Sequence, residues 1–427
     1  MELLIYLILF LLVLIVSSTT NKLLPFLPLP LVQILLGIVI GLFLPNTDFH
    51  LNTELFLALV IGPLLFRESE EADITAILKH WRIIVYLIFP VIFISTLSLG
   101  GLAHLLWLSL PLSACLAVGA ALGPTDLVAF ASLSERFSFP KRVSNILKGE
   151  GLLNDASGLV AFQVALTAWT TGAFSLGQAS SSLIFSILGG FLIGFLTAMT
   201  NRFLHTFLLS VRATDIASEL LLELSLPLVT FFLAEEVHVS GIIAVVVAGI
   251  LKASRCKKIT LLEAQVDTVT ETVWHTVNFM LNGSVFVILG MELEMIAEPI
   301  LTNPIYNPLL LLVSLIALTF VLFAIRFVMI YGYYAYRTRR LKKKLNKYMK
   351  DMLLLTFSGV KGTVSIATIL LIPSNLEQEY PLLLFLVAGV TLVSFLTGLL
   401  VLPHLSDEQE ESKDHLMHIA ILNEVTL

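Results

Sequence analysis

Thirteen runs of apolar residues, separated by charged residues or by Pro/Asn clusters, decide what this chain can fold into. They fall at about 3–18, 31–44, 54–66, 83–106, 111–132, 143–170, 181–200, 219–234, 239–251, 272–297, 306–335, 352–371 and 382–403. A hydrocarbon core roughly 30 Å thick is crossed by about 20 helical residues. No water is available there, so the backbone must satisfy its own hydrogen bonds, and a helix does so within one segment. Apolar residues make up 57% of the 427, charged residues only 13%, and the mean hydropathy is +0.95. A soluble domain carries about twice that charge. The sequence therefore predicts an all-α polytopic membrane protein with about 13 transmembrane helices. The first run has Glu2 in place of a basic flank and lacks a small-residue cleavage site, so it reads as a retained span rather than a signal peptide.

Basic residues collect on the cytoplasmic side of membrane helices, so their distribution tests the segmentation independently. Of 25 Lys and Arg, all but Lys148, Arg326 and Lys361 fall in every second loop or in the tail. The alternate loops, at 45–53, 107–110, 171–180, 235–238, 298–305 and 372–381, contain none. This predicts an outside N-terminus and a cytoplasmic C-terminus. With an odd number of spans, the halves 1–170 and 219–403 enter the membrane from opposite sides, linked by the seventh span. That is the layout of an inverted repeat, whose substrate site lies near the midplane at helices interrupted by Gly or Pro. The fifth segment carries Gly123-Pro-Thr-Asp126, and the twelfth carries Ser358-Gly-Val-Lys-Gly362. Residues 404–427 read as a short cytoplasmic tail.

The chemistry concentrates in Lys148-Gly-Glu-Gly-Leu-Leu-Asn-Asp-Ala-Ser-Gly158 of the sixth segment. A carboxylate at membrane depth is costly and marks a functional site by default. Glu150 and Asn154 stack as an i, i+4 pair, and Asp155 lies a further 100° round. The two acids are thus expected to have different tasks. Pro124 and Gly123 free backbone carbonyls at the first break, and Thr125 and Asp126 are natural caps for a following half-helix. Lys361, buried in the second break, needs a partner; Glu150 is the expected one, which leaves Asp155 as the free acid. Arg326 is expected to pair with an acid or with backbone carbonyls, and Glu219 and Glu223 to be solvated at a helix end.

No glycine-rich nucleotide loop, His-Glu-x-x-His pair, dinucleotide fingerprint or nucleophile elbow is present, so neither an enzyme nor an ATP-driven pump is indicated, and no cofactor is expected. Nothing points to nucleic acid. Cys115 and Cys256 give no disulfide or metal spacing.

Gly149-Glu-x-Leu-Leu-Asn-Asp-Ala156, Pro124-Thr-Asp-x-Val-Ala129 and Gly359-x-Lys-Gly-x-Val-Ser365 together resemble the monovalent cation:proton antiporters of the NhaP-like, sodium/proton exchanger type. The resemblance runs from about residue 30 to 400. It implies thirteen spans, a homodimer in a prokaryotic plasma membrane, and crossed, unwound helices at spans five and twelve. It implies further that Asp155 binds cation and proton in turn, with Thr125 offering oxygen to the ion and Asp126 at the crossing. Glu150, Asn154, Ser157, Arg326 and Lys361 would support the site. The chain departs from the family pattern in having Lys361 where Arg is common, Leu127 for Pro, Gly151 for Ser, and Lys148 for an acid, the last expected to weaken cation binding. Relatives also place Glu after Leu-Leu-Phe in span three, where this chain has Arg67 and then Glu68. With Asn154 in place of a second acid, one-for-one electroneutral exchange of Na⁺ or Li⁺ for H⁺ is expected. K⁺/H⁺ exchange and a cation channel or sensor are the alternatives.

Overall fold

A computed structural model describes residues 2–23, 29–43, 53–72, 74–126, 129–130, 137–171, 176–211, 215–253, 261–302, 306–340, 342, 345–372 and 379–408. The chain is helical almost throughout. Helices α1 (Glu2–Leu23) and α2 (Leu29–Phe43) are followed by α3, which runs Thr53–Phe56, through a π-helical turn at Leu57–Ile61, into Gly62–Glu70. In α4, Ile74–Tyr86 passes through a second π turn at Leu87–Val91 into Ile92–Leu106. That turn contains Pro90, which has no N–H to donate, and the wider π turn accommodates its ring without ending the helix.

After α5 (Leu112–Ala121) the helix stops at Gly123-Pro124; α6 (Lys141–Thr171) and α7 (Leu176–Ser210) follow. The second half holds α8 (Ile216–Glu236), α9 (Gly241–Ala253), α10 (Leu261–Thr302) and α11 (Pro308–Arg340). It ends with α12 (Met349–Phe357), α13 (Thr363–Ile369) and α14 (Tyr380–Leu405). Between α12 and α13 the backbone is unwound over 358–362. A two-residue antiparallel pairing joins Phe137–Ser138 to Asp407–Glu408.

Among the described residues, six stretches are long and apolar enough to cross a membrane: Ile77–Leu106, Phe185–Leu208, Ile216–Glu236, Thr268–Glu294, Pro308–Arg340 and Tyr380–Leu405. Their outward faces are apolar, with Phe203, Phe207, Phe232, Phe320 and Leu400 well exposed. Such a surface is stable against lipid and not against water. The interior is organised around α5, whose Ala114, Cys115, Ala117, Val118, Ala120 and Ala121 are all enclosed. Small side chains let neighbouring helices approach this short helix closely. Its C-terminal end is thereby held inside the protein, where unwound backbone is tolerated.

Candidate functional site

The i, i+4 spacing on α6 places Glu150 and Asn154 one above the other, and both are buried, at 1% and 0% exposure. Asn154 Nδ2 donates to Thr125 Oγ1 (2.7 Å) and to the Thr125 carbonyl (3.2 Å). The Thr125 hydroxyl donates in turn to Glu150 Oε1 at 3.2 Å. Side chains of α6 thus hold the backbone of the first break in place.

The Glu150 carboxylate is met from the other side by Arg326 of α11. Nη1 and Nη2 reach Oε1 and Oε2 at 2.6 and 2.8 Å, a two-pronged arrangement that a planar guanidinium is shaped to make. Arg326 Nε donates to the Leu355 carbonyl in the last turn of α12, at 3.0 Å. One buried network therefore ties together α6, the break after α5, α11 and the end of α12.

The two breaks lie against each other and exchange charges. Lys361 Nζ donates to the Gly123 and Pro124 carbonyls (2.8 and 2.5 Å), which follow the C-terminal end of α5. Helix C-termini carry partial negative charge and favour a cation. Asp126 does the converse. Its Oδ1 accepts the Ala129 N–H at 2.8 Å, as a helix cap does, and its Oδ2 faces the Val364 N–H at 3.4 Å, at the start of α13. A backbone bond from Asp126 N–H to the Val360 carbonyl, 3.1 Å, closes the contact. Each break thus supplies the side chain that matches the helix-end charge of the other.

The glycines of the second break follow from this geometry. A Cβ at Gly359 would overlap the Arg326 guanidinium, and one at Gly362 would press on the Asp126 carboxylate. Gly359→Ala is expected to cost about 1–3 kcal/mol, the usual range for overpacking a buried site. Thermal unfolding in detergent should show the loss; unchanged stability would mean that the guanidinium does not lie against this backbone.

The structure corrects the sequence-based pairing of Glu150 with Lys361. Glu150 is bound to Arg326, and Lys361, at 2% exposure, is turned to the Gly123 and Pro124 carbonyls that follow α5. The physical reason is that 358–362 is unwound, so the direction of Lys361 could not be taken from a helical face. Ser157 Oγ donates to the Asn154 carbonyl at 2.8 Å within α6. Lys148 is exposed at the other end of that helix segment. Asp155 lies on α6 directly after Asn154, and its side chain falls outside the described residues.

Sequence reasoning missed a second polar cluster joining α3, α8, α9 and α10. Arg67 pairs with Glu70 (2.9 Å) and Glu71 (2.7 Å), and Lys252 bridges Glu70 (3.2 Å) to Glu223 (2.8 Å). Trp274 Nε1 donates to Glu223 at 3.0 Å. Glu219, buried at 8%, meets His205 at 3.2 Å. Neither acid is merely solvated. Between Arg67 and this cluster's acids sits Glu68, whose charged neighbours are Asp126 and Glu71. The run Arg67-Glu68-Ser-Glu70-Glu71 beside a long apolar stretch was the available signal.

Discontinuous helices meeting over a buried carboxylate network are features of an ion-translocating membrane protein, and comparison with known proteins gives the family. Residues 7–406 match the model of the sodium/hydrogen exchanger transmembrane family, and the chain belongs to that family, which is one of transporters and not of enzymes. It is 35% identical over 412 residues to the sodium, potassium, lithium and rubidium/H⁺ antiporter of Bacillus pumilus, covering 95% of this chain and 61% of that protein. The Bacillus subtilis protein of the same description is 35% identical, with 92% and 60% covered. The chain thus spans about three fifths of the length of these relatives. An Escherichia coli protein described as an uncharacterized Na⁺/H⁺ exchanger, YjcE, is 30% identical, with 100% and 81% covered. The fold is similar to that of the sodium proton antiporter MjNhaP1 of Methanocaldococcus jannaschii, with a TM-score of 0.64 at 20% identity over 94% of this chain and 96% of that one. The protein is an integral membrane protein with an all-α transmembrane fold.

Proposed function

We propose that the chain exchanges a monovalent cation, Na⁺ or Li⁺, for H⁺, one for one, with cation and proton competing for Asp155. The observation that carries this reading is the pairing on α6. Of its two acids, Glu150 is already neutralised by Arg326, and Asn154 is committed to Thr125, so the charge that can vary during transport is that of Asp155. An ionised carboxylate is too costly to carry across a dry barrier without a partner, so only the loaded forms cross, and that enforces coupling. Thr125 and Asp126, held at the contact of the two breaks, supply oxygen near the ion, while Ser157 and Lys361 support the surrounding backbone.

In this reading the chain forms thirteen spans. Inverted repeats at about 1–170 and 219–403 are linked by the seventh, with the broken helices crossing at the midplane, an outside N-terminus, a cytoplasmic tail at 404–427, and a homodimer as the working form. Access alternates between the two sides. K⁺/H⁺ exchange is the second reading, because the Bacillus relatives are named for sodium, potassium, lithium and rubidium alike.

Proteoliposomes carrying a pH gradient and an entrapped pH dye test the proposal. Addition of Na⁺ or Li⁺ is expected to collapse the gradient at the same rate under either polarity of an imposed membrane potential. Cation flux that moves no protons in exchange would indicate a channel, and a rate that follows the potential would end the one-for-one stoichiometry.

A further inference from the structure

We propose that a cavity between α11, α12 and α14 holds the hydrocarbon chain of a bilayer lipid. The cavity measures about 490 Å³ and takes one stripe from each helix: Thr319, Phe323 and Phe327 from α11, Thr356 and Phe357 from α12, Thr397 from α14. It belongs to neither the cation site nor the ion-pair cluster around Arg67.

Its lining contains three threonines and yet is almost wholly apolar. Thr319 Oγ1 donates to the Leu315 carbonyl (2.8 Å), Thr356 Oγ1 to Met352 (2.8 Å) and Thr397 Oγ1 to Val393 (2.7 Å). Each hydroxyl donates its proton to the carbonyl four residues back in its own helix, so none is left to donate to a guest. Water needs two to four polar partners to occupy a cavity, and this almost wholly apolar lining has no hydroxyl proton left to give; an apolar guest fits it. The Phe323 and Phe357 rings, 5.3 Å between centroids, form an aromatic wall.

The surroundings identify that guest. At the mouth stand Ile316 and Phe320, 57% and 70% exposed, on a 33-residue helix apolar enough to cross the membrane. Whatever enters through that face comes from the hydrocarbon of the bilayer. The position also has a consequence for transport. Thr356 and Phe357 form the end of α12, and the Leu355 carbonyl beside them accepts from Arg326, the partner of Glu150. A chain seated in the cavity braces that end of α12 and thereby the anchor of the buried ion pair.

The full-length protein reconstituted with a phospholipid bearing a mid-chain diazirine tests this. Irradiation and peptide mapping are expected to place adducts on the buried Thr319 or Thr356 or on the half-buried Phe357. Ala324→Phe, which fills the cavity, should lose those adducts while labelling of exposed Phe203 and Phe207 on α7 persists. Thr356→Val, which removes a hydroxyl already spent within its helix, should keep them and guards against misreading a folding defect in the first variant. Adducts confined to Ile316 and Phe320, or buried adducts unchanged by Ala324→Phe, would overturn the proposal. So would cross-linking of Phe320→Cys between two copies of the chain in the absence of buried lipid adducts, because the face would then be a protein interface.

Discussion

Replacing Arg326 with methionine should destabilise the protein by about 3–5 kcal/mol, the range observed when one partner of a buried ion pair is removed. Glu150, at 1% exposure, would keep only the Thr125 hydroxyl as donor, and a buried carboxylate with one weak partner is far from compensated. Three contacts go at once: two prongs on Glu150 and the Nε bond to Leu355. Arg326→Lys should be intermediate, since an ammonium keeps the charge but cannot span both carboxylate oxygens. Glu150→Gln should be destabilising for the mirror-image reason, leaving the guanidinium buried without its counter-charge.

The double replacement Arg326→Met with Glu150→Leu is the discriminating case. If the two side chains act as one pair, the double variant is less damaged than the sum of the singles, because neither charge remains to be buried alone. Additive losses in thermal unfolding would show that each residue stabilises the fold through other contacts.

The second large effect is expected at Asp155. Asp155→Asn should abolish exchange while leaving expression and thermal unfolding near those of the unaltered protein. An amide of nearly the same shape removes the only function proposed for this side chain and takes a costly charge out of an apolar helix. Contrast with Arg326 is therefore diagnostic, since there stability and exchange should fall together. Retained exchange in Asp155→Asn would move the transported proton to another group, and Glu68, with Asp126 as a charged neighbour, would be the first to examine.

The helical, membrane-embedded class was legible because its causes are local. Apolar run length and the placement of Lys and Arg are properties of short stretches. The two breaks were legible for the same reason: Gly123-Pro124 and the Gly359-x-x-Gly362 pair weaken a helix through their own backbone properties. Partner choice was not. Besides Lys148 on its own helix, Glu150 had two candidate cations in the apolar segments, Lys361 and Arg326, and the choice depends on how three separate elements rotate against one another. Lys361 was the harder to place because it lies on unwound chain, where no 100° rule gives its direction. Arg326 carried one usable signal, a lone guanidinium in a long apolar helix, the side chain best suited to a two-pronged buried contact.

The ion-pair cluster of Arg67, Glu70, Glu223 and Lys252 escaped for a different reason. Each residue lies near a segment end, where solvation is the ordinary expectation, and only packing of three helices makes them neighbours. The exchange of charges between the breaks, with Lys361 on the carbonyls after α5 and Asp126 facing the Val364 amide of α13, likewise appears only when the two unwound stretches touch.

The measurement closest to the central claim is the apparent affinity for Na⁺, followed across a range of pH in proteoliposomes. If metal ion and proton take turns on one carboxylate, the half-saturating Na⁺ concentration rises roughly tenfold for each pH unit below the site's pKa, while the maximal rate at saturating Na⁺ stays level. A half-saturating concentration that does not move with pH would mean that the two ions bind at separate places, and the competition mechanism would fail.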